Sequence, residues 1–294
     1  MTDIVDAHFH IWRQADLPWL LGPMQPRIFG PYEPIRRDYP VSEYLADARP
    51  EGVTQAVYVQ ANWAVDRFLD EVDYVSRASE KAGFPIAIVA YADMLAEDAR
   101  PQLDLLARNE RVRGVRMQIH WHQNTLYRFA GGPELARDPR LVANIGRLAD
   151  YGFSFDLQVF ADQMAGAAEL AASCPDVTFV LQHAGMLEDL STEGIAAWRD
   201  GMTSLAAQPN IASKLSGLGT FLRRNDAGHI AFIAAQTLAL FGADRCLFGS
   251  NFPIEKLWTT YSELIGAHRA AVPEGVFGKV FNETARRVYR LDDK

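Results

Sequence analysis

Cysteine is nearly absent from this chain: Cys174 and Cys246 are the two in 294 residues. They lie far apart and without metal-type spacing, which supports neither a disulfide framework nor a thiolate zinc site. Basic residues are outnumbered, 29 Lys and Arg against 37 Asp and Glu, for a net charge of −8. That balance excludes the clustered cations a nucleic-acid partner requires. No apolar run approaches the roughly 20 residues of a membrane span, so no membrane association is expected. The opening Met1-Thr2-Asp3-Ile4-Val5-Asp6-Ala7-His8 lacks a basic n-region and a signal-like apolar stretch, and a cytoplasmic location is expected. Glycine-rich phosphate loops are missing as well, with neither G-x-G-x-x-G nor a P-loop pattern anywhere. Ser216 does not sit in a G-x-S-x-G elbow, which removes the serine-nucleophile hydrolases. Asn282-Glu283-Thr284 matches a glycosylation acceptor but means nothing without a secretory signal.

What is present is rhythm. Short apolar runs at Ile4 to Phe9, Val53 to Val59, Ile86 to Ala90, Val112 to Ile119, Phe153 to Val159, Val177 to Leu181, Ile211 to Leu215 and Cys246 to Phe248 read as strands. The segments between them read as one-sided helices. Ala227 to Phe241 carries an apolar stripe at three- and four-residue steps, Phe68 to Ala82 ends at a capping Gly83, and Asp138-Pro139 reads as an N-cap with Pro at the first helical position. Near-continuously apolar strands alternating with helices indicate a parallel sheet, and eight such units close into a (β/α)8 TIM barrel, an α/β fold of about 250 residues. A single domain over residues 1–294 is therefore expected. The stretch from Trp12 to Pro40 carries Pro18, Pro23, Pro26, Pro31, Pro34 and Pro40. It is an irregular Pro-rich loop after the first strand, either a lid or wall of a pocket or simply a packing loop.

Polar side chains gather at the strand ends. The first strand offers Asp6, His8 and His10; the second Gln60 and Asn62; the third Tyr91 and Asp93; the fourth Gln118, His120 and His122. The fifth offers Asp156 and Gln158, the sixth Gln182 and His183, the seventh Lys214 and Ser216, and the eighth Ser250 and Asn251. The opposite ends show nothing comparable, as expected of a barrel whose site forms at the C-terminal face. His8 and His10 are two apart and share one face of a strand, so both can converge on one ligand. Neutral imidazole is a common metal ligand, and His8, His10 and His183 together make a minimal zinc site. His229 and His268 fall on helices and read as surface residues.

The combination Asp6-Ala7-His8-Phe9-His10-Ile11-Trp12, Gly114-Val115-Arg116, Ser154-Phe155-Asp156-Leu157-Gln158, Gln182-His183-Ala184-Gly185-Met186 and Phe248-Gly249-Ser250-Asn251-Phe252-Pro253 resembles the amidohydrolase superfamily. More closely it resembles the amidohydrolase-2 group, which contains sugar-lactone and 2-pyrone-4,6-dicarboxylate lactonases. The resemblance implies a hydrolase at the barrel mouth, with His8, His10 and His183 holding one divalent metal, zinc foremost, or meeting the substrate carbonyl directly. It also implies an aspartate at the end of strand eight as base. This chain departs there, with Asn251. An amide cannot take a proton near neutral pH, which weakens metal binding, leaves metal-independent catalysis open, and hands the base role to His183, Glu255 or Asp156.

A lactone hydrolase is thus expected, opening a small cyclic ester of a sugar acid or dicarboxylic acid in carbohydrate catabolism. His8, His10, His183, Asn251 and Glu255 are its catalytic candidates. Gln60, Gln118, His122, Asp156, Gln158, Lys214, Trp12 and Trp63 are candidate substrate ligands. Arg116 either grips a carboxylate or pairs with Asp156 or another barrel carboxylate. Arg128, Arg223, Arg224 and Lys256 are basic groups that could draw in an anion. The alternatives are a metal-dependent non-oxidative decarboxylase, against which Asn251 counts, and a non-catalytic relict that binds sugar acids. The expected partner is a small molecule, with a homo-oligomer left open.

Overall fold

The computed structural model describes residues 3–292. Eight strands form one parallel sheet in sequential order: β1 (Ile4–Phe9), β2 (Val53–Val59), β3 (Ile86–Ala90), β4 (Val112–Val115), β5 (Ser154–Leu157), β6 (Phe179–Leu181), β7 (Ile211–Leu215) and β8 (Cys246–Phe248). The backbone just past β8 returns to β1. Asn251 N–H donates to the His8 carbonyl at 2.7 Å, and His10 N–H donates to the Phe252 carbonyl at 2.8 Å. With helices between the strands, this is the (β/α)8 TIM barrel that the alternation predicts. No described helix is long and apolar enough to cross a membrane.

Local chemistry explains the helix boundaries. Gly83 takes the left-handed conformation (φ 55°) that ends Phe68–Ala82. Asp138 accepts from Arg140 N–H ahead of Pro139 and starts Pro139–Gly146. Asp226 accepts from His229 N–H and starts Ala227–Phe241. The apolar material separates into two layers. Ile4, Phe9, Tyr58, Ile88 and Phe155 belong to the layer between strands and helices, where Phe9 stacks on Tyr44 with ring centroids 4.1 Å apart. Burying such a ring contributes about 1.5–3 kcal/mol. Val5, Ala7, Val57, Val59, Val89, Val180, Ala212 and Leu247 fill the barrel interior with Tyr289 of the Thr284–Tyr289 helix.

β4 and β5 are shorter than their apolar runs, which extend to Ile119 and Val159. Past Val115 the chain leaves the sheet and carries Arg116 and Gln118 to the barrel mouth. His268 corrects an expectation: it is buried, with Nδ1 2.9 Å from the Leu264 carbonyl and its ring against Phe248. His229 is half-buried. Both cysteines are buried free thiols.

Candidate active site

One irregularity in β1 aims the site. Asp6 pairs with Ala56 and Phe9 with Tyr58, so three steps on β1 oppose two on β2. Such a bulge turns two successive side chains to the same side. Asp6 and Phe9 therefore face the helices while Ala7 and His8 both face the barrel interior. Asp6, grouped by alternation with the histidines, is instead a buried anchor. Its carboxyl accepts from Ser250 N–H (2.8 Å), Ser250 Oγ (2.6 Å), His8 N–H (3.1 Å), Tyr44 Oη (2.9 Å) and Tyr261 Oη (3.0 Å). These bonds tie the β1 bulge to the end of β8.

The bulge delivers His8 to a cavity at the C-terminal ends of the strands. His8, His10, Trp12, Arg116, Gln118, Gln158, His183 and Asn251 line it, as the strand-end pattern predicts. The His8 ring lies 5.1 Å from that of His10 and 4.8 Å from that of His183, centroid to centroid. Two glycines make room. A Cβ on Gly249 would lie 2.6 Å from His8 Cβ, and one on Gly217, already at φ 60°, would lie 2.5 Å from His183 Nδ1.

Each imidazole is held differently. His10 Nδ1 is 2.7 Å from the Val59 carbonyl, which can only accept, so Nδ1 carries the proton and Nε2 is an acceptor. His183 Nδ1 meets Ser216 Oγ at 2.9 Å. His8 is wholly buried with both ring nitrogens unpartnered. Burial, then Lys214 and the neighbouring imidazoles, holds His8 well below the ordinary histidine range. Burial and then Arg116 lower His10 and His183 to about 3. All three are neutral near pH 7. Arg116 is buried and lowered by burial to about 10, so it stays cationic; it donates to the Gln60 carbonyl through Nη2, and its Nε has no partner.

Beside this layer, Asn251 reaches both His10 and Glu255. Glu255 is fully buried under the wall rather than on it; Trp258 Nε1 donates to it at 2.8 Å, and burial pushes its carboxyl up to about 8. Other expected ligands lie elsewhere. Asp156 and Lys214 pair at 2.9 Å inside the barrel, both fully buried, and Tyr289 Oη and Gln182 Nε2 also donate to Asp156. Asp156 is therefore spent on Lys214, and Arg116 makes no ion pair with it. The Gln60 side chain turns back to Asn62 N–H, and Gln60 and Trp63 line an adjacent cleft. His122 faces Glu188 at 3.2 Å on the rim. Sequence reasoning missed Arg27, Ile28, Phe29, Met186, Thr220, Phe221 and Ile254 on the cavity wall. The first three belong to the Pro-rich loop, which is thus a wall of the cavity together with its Trp19. Arg224 and Lys256 are engaged by Asp226 and by Glu43 and Asp47, and Arg128 lies over Trp121.

A divalent ion would need about three or four convergent donors here. Three neutral imidazoles are suitable in kind, and the orphaned nitrogens of His8 call for some partner. Among the described residues, however, no three His, Cys, Asp or Glu are arranged to hold a metal ion. The field of Arg116 and Lys214 that already disfavours charge on the imidazoles also opposes a dication, and Asn251 brings no negative charge. In this arrangement the residues do not fit a resident metal.

An amidohydrolase family model matches residues 5–291. An uncharacterized protein of Sinorhizobium fredii is 34% identical over 300 residues, covering 99% of this chain and 100% of that protein. An L-fucono-1,5-lactonase of Burkholderia ambifaria is 26% identical over 302 residues, covering 99% of this chain and 97% of the lactonase. Among solved structures, an amidohydrolase of Burkholderia multivorans with bound zinc superposes with a TM-score of 0.81 at 23% identity, covering 98% of this chain and 99% of that one.

Proposed function

The chain belongs to the amidohydrolase family, and from that premise we propose that it hydrolyses a small lactone at the mouth of its barrel. The observation that carries this is His8, buried with two unpartnered ring nitrogens, in one cavity with His10, His183 and Arg116, whose Nε has no partner. A relative of nearly full-length overlap named as a lactonase supports the reaction class.

The lactone ring lies between the aromatic walls with its carbonyl carbon above His8. His183, neutral at pH 7 and steadied by Ser216, takes a proton from water as the water oxygen bonds to that carbon. The negative charge gathering on the carbonyl oxygen is met by the unpartnered N–H of Arg116. Collapse of the tetrahedral intermediate breaks the bond to the ring oxygen, which takes the proton from His183 and leaves a hydroxy acid. An imidazole lowered to about 3 is a weak base at rest. Its proton affinity rises as the oxyanion forms beside it, because the two charges attract. Asn251 orients the water through its amide, and the protonated Glu255 behind it fixes the amide. No step runs through a metal.

The test is acid release from a panel of aldonolactones and pyrone dicarboxylates, with carbon dioxide followed in parallel. Hydroxy-acid formation that is lost in His8→Ala supports the proposal. Carbon dioxide without ring opening indicates a decarboxylase, and ligand recovered unchanged indicates a binding protein.

A further inference from the structure

Hydrolysis of an uncharged lactone develops one negative charge, yet two permanent cations line the cavity. Arg27 and Arg116 are both on its wall, no described Asp or Glu is, and the three imidazoles are neutral. In a chain of net charge −8 this is a local excess built against the average. Arg116 lies among the histidines, where the carbonyl oxygen is placed. Arg27 has no such task. Its Nε is buried without a partner, and its guanidinium makes no ion pair with any described carboxylate. It rests over the Trp19 ring at 5.6 Å.

The support beneath Arg27 is fixed in advance. Trp19 Nε1 donates to the Ala61 carbonyl at 2.9 Å, joining the loop to the end of β2. Arg36 donates to the Leu20 and Gly22 carbonyls, and Trp12 exchanges backbone hydrogen bonds with Tyr39 at 2.9 Å. A cation on the cavity wall, held over a rigid aromatic face and with a buried N–H that has no partner, is prepared for an anion at little ordering cost.

We propose that the substrate is a lactone carrying its own carboxylate, and that Arg27 is the residue that selects it. This rests on the lactonase proposal and adds the substrate class. The ring carboxylate meets Arg27 while the scissile carbonyl meets Arg116 and His8. Binding an anion also offsets the cationic field over the imidazoles, which makes His183 a better base once substrate is in place.

The matched probes are D-glucaro-γ-lactone and D-glucono-γ-lactone, which differ by a carboxylate in place of a hydroxymethyl group. The full chain is expected to favour the carboxylated lactone in kcat/KM by about tenfold to a hundredfold, chiefly through KM, the scale of one charge-assisted hydrogen bond. Added salt and Arg27→Gln shrink that ratio, and Arg27→Lys restores part of it. A ratio of one or below in the parent, or a ratio that Arg27→Gln leaves unmoved, overturns the proposal. If neither lactone is opened, the lactonase proposal fails separately. Calorimetric binding of tetrahydropyran-2-carboxylate against its neutral hydroxymethyl counterpart then decides: tighter carboxylate binding that is weakened in Arg27→Gln supports Arg27 as the selector, and equal binding overturns it. Salt dependence in the parent and the Arg27→Lys variant keep the test open should Arg27→Gln fold poorly.

Discussion

The cavity and the layers beneath and outside it are both rich in polar residues, and they differ in which groups have partners. In those layers, carboxylates are surrounded: Asp6, on the helix side of β1, accepts from Ser250, His8, Tyr44 and Tyr261, and Asp156, inside the barrel, from Lys214, Gln182 and Tyr289. In the cavity wall, buried nitrogens have no partner: both of His8, Nε of Arg116 and Nε of Arg27. Acids are consumed in holding the strands together, and bases are left over for a ligand. Since an unpartnered buried polar group costs about 1–3 kcal/mol, the upper layer costs stability that the lower layer helps to offset. Stability and activity should therefore separate by layer.

The largest separation is expected for His183→Ala. Turnover falls by about 10²–10⁴-fold with the denaturation midpoint near that of the parent, measured by lactone hydrolysis and by urea unfolding. A midpoint that falls with activity breaks the contrast. Lys214→Met is its mirror image. It leaves Asp156 buried without its cation, and urea unfolding should show a loss of about 3–5 kcal/mol. Full stability in that variant would mean the lower layer is not structural.

Glu255 sits at the boundary and sharpens the comparison through pH. Burial raises its carboxyl from the ordinary 4.5 to about 8, so the folded chain keeps a proton that the unfolded chain has released. Its contribution to stability is fully present below pH 4.5 and is lost as pH rises toward 8. Stability measured across that window should decline less steeply in Glu255→Gln. An unchanged slope would remove Glu255 as its source. The smallest effect is expected for Asn251→Asp, which adds a carboxylate next to His10. Zinc affinity, titrated against a competing chelator, should rise by about tenfold to a hundredfold, as an added charged partner at a metal site does. An affinity that does not move would show that the cationic field, not the missing carboxylate, governs metal binding.

The barrel was legible because its strands are buried on both faces and so are apolar throughout. Val53–Val59, Ile86–Ala90 and Ile211–Leu215 match their runs residue for residue. The apolar runs after Val112 and at Phe153 overstate β4 and β5, since residues leaving a sheet toward a covered mouth remain buried without remaining in strand. His8, His10 and His183 were legible as a set because strand ends converge in a barrel. Asp6 was misplaced because simple alternation cannot show a bulge. Asp156 and Lys214 share their strand faces with Gln158 and Ser216 two positions on, and only depth in the barrel tells a structural pair from a ligand. Arg27 was invisible among 29 basic residues because an irregular loop has no period from which to read direction. His268 occupies a helix position that faces the sheet, and the approach of Phe248 cannot be read from one strand alone.

The extra residue between Asp6 and Phe9 has a practical side for anyone grafting this chemistry onto another scaffold. Copying the two imidazoles at their spacing onto a regularly paired strand would send one layer the wrong way: with the tyrosine anchor kept outward, both rings would follow it out of the cavity. What has to be transplanted is the local miscount itself, along with the serine at the far end of the sheet that clasps it. Shortening the first strand by one residue would be a harsher lesion than replacing any single ligand.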